Sequence, residues 1–175
     1  LLDMVGISPG HMKRFPHEFS GGQKQRIVIA RALSMEPEFL VLDEPVSNLD
    51  VSIQAQIINL LLDLKEKFSL TYLFISHDLN LVSYLSDHVA VMLKGQIVET
   101  AETDLIMKTP LHPYTLKLFS SAPGQDSKEL FEADKNYRKG LPSGYTYFPP
   151  KPESVLHLVD TGNGHQVGCY KTGGL

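Results

Sequence analysis

The chain has 175 residues, 42% of them hydrophobic and 21% charged, which suits one domain with a real core and a short appendage. Its formal net charge of -4 gives no electrostatic reason for DNA, RNA or an anionic membrane as a direct partner. The single cysteine, Cys169, excludes an internal disulfide, and no apolar run approaches the roughly 18 to 20 residues that cross a bilayer.

No basic n-region or small-residue cleavage site marks a signal peptide, and the chain opens on Leu1 rather than methionine, as a piece of a longer protein would. Residues 1–7 read as the end of an amphipathic helix, stopped by Ser8-Pro9-Gly10. A basic loop follows over 11–16. Ser20 then stands where an N-cap belongs, and residues 22–34 carry Ile27, Ile29, Ala30 and Leu33 at helical spacing. Pro37 breaks that helix. Residues 39–42 form a short, wholly apolar run of the kind found in buried parallel strands.

The clearest helix covers 52–67, with Ile53, Ile57, Leu60, Leu61 and Leu64 on one stripe. A second buried strand over 71–76 ends at His77-Asp78. A helix over 78–86 precedes a strand over 89–93, and Lys94-Gly95 turns the chain tightly into 96–100. Short helices are expected over 102–107 and 114–119, the second after the turn Pro110-Leu111-His112-Pro113. From Pro123 to Pro152, Pro, Gly, Ser and Lys dominate, so a loosely ordered extension is expected, with a small strand pair over 155–169. The fold class is α/β: a partial, mostly parallel sheet flanked by helices, with a loosely ordered C-terminal extension. The expected division is 1–109 and 110–175.

Four short segments carry chemistry. In Phe19-Ser20-Gly21-Gly22-Gln23-Lys24-Gln25-Arg26, two glycines open a helix, whose free N–H groups and dipole favour an anion. Taken as a tripeptide alone, Ser-Gly-Gly is better read as a plain helix cap with no ligand; the full eight-residue string favours the anion site. In Leu40-Val41-Leu42-Asp43-Glu44-Pro45, an apolar strand delivers two carboxylates to the C-terminal edge of a sheet, where ligands bind in open α/β folds. Asp43 is suited to hold Mg²⁺ through its water shell, and Glu44 to orient and deprotonate a water attacking a γ-phosphate. Ser47-Asn48-Leu49-Asp50 reads as a turn and a cap for the next helix. His77 ends the second strand at the same edge as Glu44, where a lone histidine is more often a structural hydrogen-bonder than a catalyst.

The order Ser-Gly-Gly-Gln, apolar strand ending Asp-Glu, Ser-Asn-Leu-Asp, then strand-Ser-His-Asp resembles the ATP-binding-cassette ATPases throughout residues 1–100. These segments match that family's signature motif, Walker B, D-loop and H-loop. The resemblance implies a head-to-tail pair of ATPase subunits, identical or paralogous, enclosing two ATP molecules. Ser20, Gly21, Gly22 and Gln23 would meet nucleotide held by the partner, Asp43 would serve Mg²⁺, and Glu44 would be the general base. His77 would contact the γ-phosphate, and the Ser47, Asn48, Leu49, Asp50 loop would couple the two sites. The implied setting is the cytoplasmic face of the cell membrane, with transmembrane permease subunits and, indirectly, an extracellular solute-binding protein.

No G-x-x-x-x-G-K-[ST] occurs in the sequence, so the main cradle for a triphosphate is missing. The chain by itself is therefore expected neither to bind ATP tightly nor to hydrolyse it, and its exposed half-sheet to favour aggregation. The segment 110–123, with 141–144 and 164–169, resembles the C-terminal extension of oligopeptide and dipeptide importer ATPases. Related extensions serve nickel and glutathione importers, which keeps those cargoes open. Many relatives carry several cysteines here; Tyr145 and Phe148 stand where some are expected, so an iron–sulfur cluster held by this chain is not expected. A truncated, non-catalytic module donating only its signature motif is the reading from a different class. A soluble ABC protein of translation or DNA repair is the weaker alternative.

Overall fold

In the computed structural model, helix α1 (Gly21–Leu33) starts where the Ser-x-x-Gln spacing sets it. The Gln23 backbone N–H donates to Ser20 Oγ, while the Ser20 N–H donates to Gln23 Oε1, which satisfies two donors of the first turn. Ile29, Ala30 and Leu33 form its buried face. Strand β1 (Phe39–Asp43) runs parallel to β2 (Thr71–Ile75), in register from Phe39 opposite Thr71 to Asp43 opposite Ile75. Between them lies α2 (Val51–Phe68), the crossover that a parallel pair requires. Its Ile57, Ile58, Leu61 and Leu64 are buried, each side chain worth roughly 1.5–3 kcal/mol of transfer free energy.

The structure describes residues 1–120, 141–149 and 153–172. They fall into two units, Leu1–Asp78 and Leu79–Leu175. In the first, the expected helix end over 1–7 is a single 3-10 turn, Asp3–Val5, because Gly6 takes a left-handed φ of 70° and ends it. A second 3-10 turn, Pro9–Lys13, occupies part of the expected basic loop. The run at 39–42 is only half covered. Leu40 and Leu42 are partly buried and Tyr72 donates from its hydroxyl to the Leu61 carbonyl of α2, yet Phe39, Val41, Leu73 and Ile75 remain exposed. Successive side chains alternate between the two faces, and α2 lies against one of them.

The second unit holds the hairpin of β3 (His88–Leu93) and β4 (Gln96–Glu102), joined at Lys94 and Gly95, both at positive φ as a two-residue turn demands. Helices α3 (Leu79–Leu85), α4 (Thr103–Lys108) and α5 (Pro113–Ser120) accompany it. Val89, Val91, Val98, Ala101, Ile106 and Phe119 make its apolar centre. The strand pair expected over 155–169 is β6 (His157–Asp160) and β7 (Gln166–Lys171). Strand β7 adds to the free edge of β4, and the short β5 (Tyr145–Thr146) pairs with β7.

Among the described residues parallel pairing is thus confined to β1 and β2; every pairing in the second unit is antiparallel, with β3–β4 and β6–β7 joined by short turns while β7 meets β4 and β5 across longer stretches of chain. Residues 141–149 do not fit the loose segment expected over 123–152: β5 is paired and Tyr147 is buried. The end of the 110–123 segment, from Ser121 on, and the rest of the expected loose segment, apart from 141–149, lie outside the described residues.

Candidate functional site

Parallel strands deliver their C-terminal ends to one edge, and β1 and β2 do so with Asp43-Glu44 and Ser76-His77. The His77 Nδ1–H donates to Glu44 Oε1 across 2.7 Å. That hydrogen bond first, and the Glu44 charge second, push the His77 pKa up from its ordinary 6.5. The pair is open to solvent, with the His77 side chain 79% and the Glu44 side chain 37% exposed. Asp43, one residue before, is also exposed.

Glu44 sits at a φ of 46°, in the left-handed region that a glutamate rarely occupies. Such a conformation costs on the order of 1–3 kcal/mol and persists only where neighbours impose it. Here the Glu44 N–H donates to the Ile75 carbonyl at 2.9 Å, and the Ser47 hydroxyl donates to the Glu44 carbonyl at 3.1 Å. The carboxylate is therefore aimed by a fixed backbone.

The loop after Glu44 is a turn, with the Leu49 N–H donating to the Val46 carbonyl. Gln54 of α2 donates from Nε2 to both Val46 and Leu49 carbonyls at 3.0 Å. Asp50 is the N-cap of α2 by backbone conformation, but its side chain makes no capping hydrogen bond. Ser47, Asn48 and Asp50 are exposed, and Leu49 is half-buried.

Ser20 is exposed at the start of α1, while Gly22 is buried. The Ser20 and Gln23 side chains bond within their own capping box, so the structure joins those two to each other and Glu44 to His77. A lone carboxylate such as Asp43 suits Mg²⁺, which keeps most of its waters. Among the described residues, no group of three or more His, Cys, Asp or Glu side chains is placed to hold a metal ion by itself. No helix there is long and apolar enough to cross a membrane.

One residue given no role by sequence is Glu99, on β4. It is fully buried and accepts three hydrogen bonds: from the N–H groups of Leu111 and His112 and from His165 Nε2–H. His112, also buried, accepts from the Tyr114 N–H at Nδ1, and burial lowers its pKa. A glutamate in the middle of a valine-containing strand is the signal that marks such an anchor, because an unpaired carboxylate is not tolerated there. Glu99 ties the Pro110–Pro113 turn and the β6–β7 turn to the hairpin.

Two family models match: "ABC transporter" over residues 1–47 and "Oligopeptide/dipeptide transporter, C-terminal region" over residues 98–149. The chain is 47% identical over 169 residues to the oligopeptide transport ATP-binding protein OppF of Bacillus subtilis, covering 97% of this chain and 54% of that protein. It is 55% identical over 126 residues to the dipeptide transport ATP-binding protein DppF of Lactococcus lactis subsp. cremoris, covering 72% of this chain and 40% of that protein. The chain thus spans about half the length of the curated relatives it matches. Among solved structures, the ADP conformation of MJ1267, an ATP-binding cassette of an ABC transporter, superposes with a TM-score of 0.59 at 31% identity. That match covers 69% of this chain and 47% of the other. Motif order, fold and these likenesses agree: over nearly its whole length the chain is similar to about half of the ATP-binding proteins of oligopeptide and dipeptide ABC transporters.

Proposed function

We propose that this chain is the C-terminal part of an ATP-hydrolysing subunit that drives peptide uptake. The observation that carries the reading is the Glu44–His77 contact at 2.7 Å, on the shared edge of two parallel strands. Glu44, aimed by its fixed backbone, takes the proton of an attacking water, and His77 holds the carboxylate in place and reaches the γ-phosphate. Asp43 is the residue that would help hold Mg²⁺, which when bound would supply positive charge against the phosphates. Ser20, Gly21, Gly22 and Gln23 present the free N–H end of α1 to ATP on a second ATPase subunit. The Ser47, Asn48, Leu49, Asp50 turn joins the two sites.

The likeness to peptide-transport subunits over 98–149 supports peptide as cargo, with permease subunits and an extracellular binding protein as partners. The place of work is then the cytoplasmic face of the membrane, as a peripheral subunit. The exposed Phe39, Val41, Leu73 and Ile75 are the apolar face that a covering layer of the complete cassette would bury. Residues 1–109 are the ATPase portion and 110–175 the extension, whose strands complete the edge of the β3–β4 hairpin.

The test is reconstitution of the complete subunit with its permease in vesicles. ATP hydrolysis and uptake of labelled peptide are expected together, and Glu44→Gln abolishes both. Uptake of nickel or glutathione in place of peptide would overturn the cargo. ATP hydrolysis by residues 1–175 alone would overturn the division of labour.

A further inference from the structure

Helix α1 begins with two glycines, although neither Gly21 nor Gly22 has the left-handed φ that would require one. Glycine in the first turn of a helix costs about 0.5–1 kcal/mol against alanine, so something other than backbone conformation favours it here. The structure shows what. A β-carbon on Gly22 would lie 2.5 Å from Ile53 Cγ2, and one on Gly21 would lie 3.2 Å from Leu49 Cδ2. The first contact is impossible without movement. Ile53 cannot yield cheaply, because a β-branched side chain in a helix is held to one χ1 rotamer.

Ile53 belongs to the first turn of α2, and its neighbour Gln54 holds the Val46 and Leu49 carbonyls of the preceding loop. Arg26, one turn along α1 from Gly22, donates to the Gln56 side chain of α2 and to the Val5 carbonyl. One helical turn therefore grips two segments at once: Gln54 fixes the 47–50 loop, and Ile53 sets how closely the start of α1 approaches it.

We propose that Ile53 is a positioning residue for the Ser20–Gln23 segment, and that α2's first turn makes this segment and the 47–50 loop move as one piece. The inference rests on the reading of both segments as contacts to a neighbouring ATP site. Its content is that Gly22 is glycine to admit Ile53, not to admit nucleotide. A signature segment free to shift against the loop would lose the alignment of its N–H groups with the partner's phosphate, which lowers turnover more than ATP affinity in the cradle outside this segment.

The experiment uses the complete subunit assembled with its permease. Gly22→Ala is expected to lower kcat about tenfold or more with a smaller change in KM for ATP, since overpacking displaces the helix start. Adding Ile53→Ala, which removes the obstructing methyl, is expected to restore most of that loss, and the thermal midpoint of the double variant to exceed that of Gly22→Ala. Absence of rescue in kcat would show that glycine serves nucleotide directly and overturns the proposal. So does a rescue confined to the thermal midpoint, or an unaltered kcat in Gly22→Ala. If the wild-type assembly hydrolyses no ATP, the functional reading fails, while the thermal midpoints of the wild type, Gly22→Ala, Ile53→Ala and the double variant still reveal whether Gly22 and Ile53 are sterically coupled.

Discussion

Two glutamate–histidine pairs share the same 2.7 Å separation and almost nothing else. In Glu44–His77 both side chains are open to solvent, the glutamate backbone is in the left-handed region, and the carboxylate has one side-chain partner. In Glu99–His165 both side chains are buried, and the carboxylate is filled by two backbone donors as well. Distance alone therefore does not separate the pair proposed to react from the one that anchors the fold. Solvent access and unused lone pairs do, because a group meant to meet a water and a phosphate must keep acceptor capacity in hand.

That contrast makes opposite predictions for removing each carboxylate. Glu44→Gln in the complete subunit should lower kcat by roughly 10²–10⁴-fold, the range for a general base, while shifting stability by no more than about 0.5 kcal/mol. Steady-state ATPase assays beside thermal unfolding give both numbers. Glu99→Ala should do the reverse. It strands a buried imidazole and two backbone N–H groups, and breaking a buried pair costs about 3–5 kcal/mol. Unfolding monitored by circular dichroism should show the loss, and retained wild-type stability would end the claim that this pair is an anchor.

A smaller effect separates the pairs again. Cys169 is buried in β7, with its thiol against the His157 carbonyl of β6, and burial pushes its pKa up. Only the thiolate reacts, so labelling by a thiol reagent should require opening of the β6–β7 ladder. Glu99→Gln keeps one acceptor oxygen but sets an amide N–H against a backbone N–H, a loss of about 1–3 kcal/mol, or roughly fivefold to hundredfold in labelling rate. Glu44→Gln should leave that rate unchanged. Equal acceleration by both would break the distinction.

Much of the first pair is legible in the amino-acid sequence alone. An apolar run ending in Asp-Glu, a second ending in Ser-His, and a helical stripe between them define a parallel crossover with both polar ends at one edge. The Ser20 N-cap follows from the same kind of local rule, since a serine hydroxyl satisfies donors that any helix start leaves open. Glu99 is not legible in this way, because its partners are 12, 13 and 66 residues away and no local pattern joins them. The Ile53–Gly22 contact escapes for the same reason. The stripe on α2 shows that Ile53 packs inward, but not against which element. The apolar runs of β1 and β2 predict burial on both faces, whereas one face is open, because such a run reports what a strand is built to meet and not what this chain supplies.

The smallest effect is pH, and its two signs oppose each other. His77 has a raised pKa, so folding favours its charged form. Its contribution is complete below the ordinary imidazole value of 6.5 and disappears as pH rises through the folded value. His112 is lowered by burial, against a weaker opposing influence of the Glu99 charge, so folding favours its neutral form. Its contribution is present above 6.5 and is lost as pH falls through the folded value. Titration of the ring protons by NMR should find the two histidines on opposite sides of the ordinary value. In Glu44→Gln the His77 resonance should move back towards it, since hydrogen bond and charge change together, while His112 stays in place. Acidification should therefore tighten the exposed pair as it loosens the Pro110–Pro113 turn. A His112 that titrates above the ordinary value would mean that the Glu99 charge outweighs burial, and the sign of the His112 contribution would then reverse.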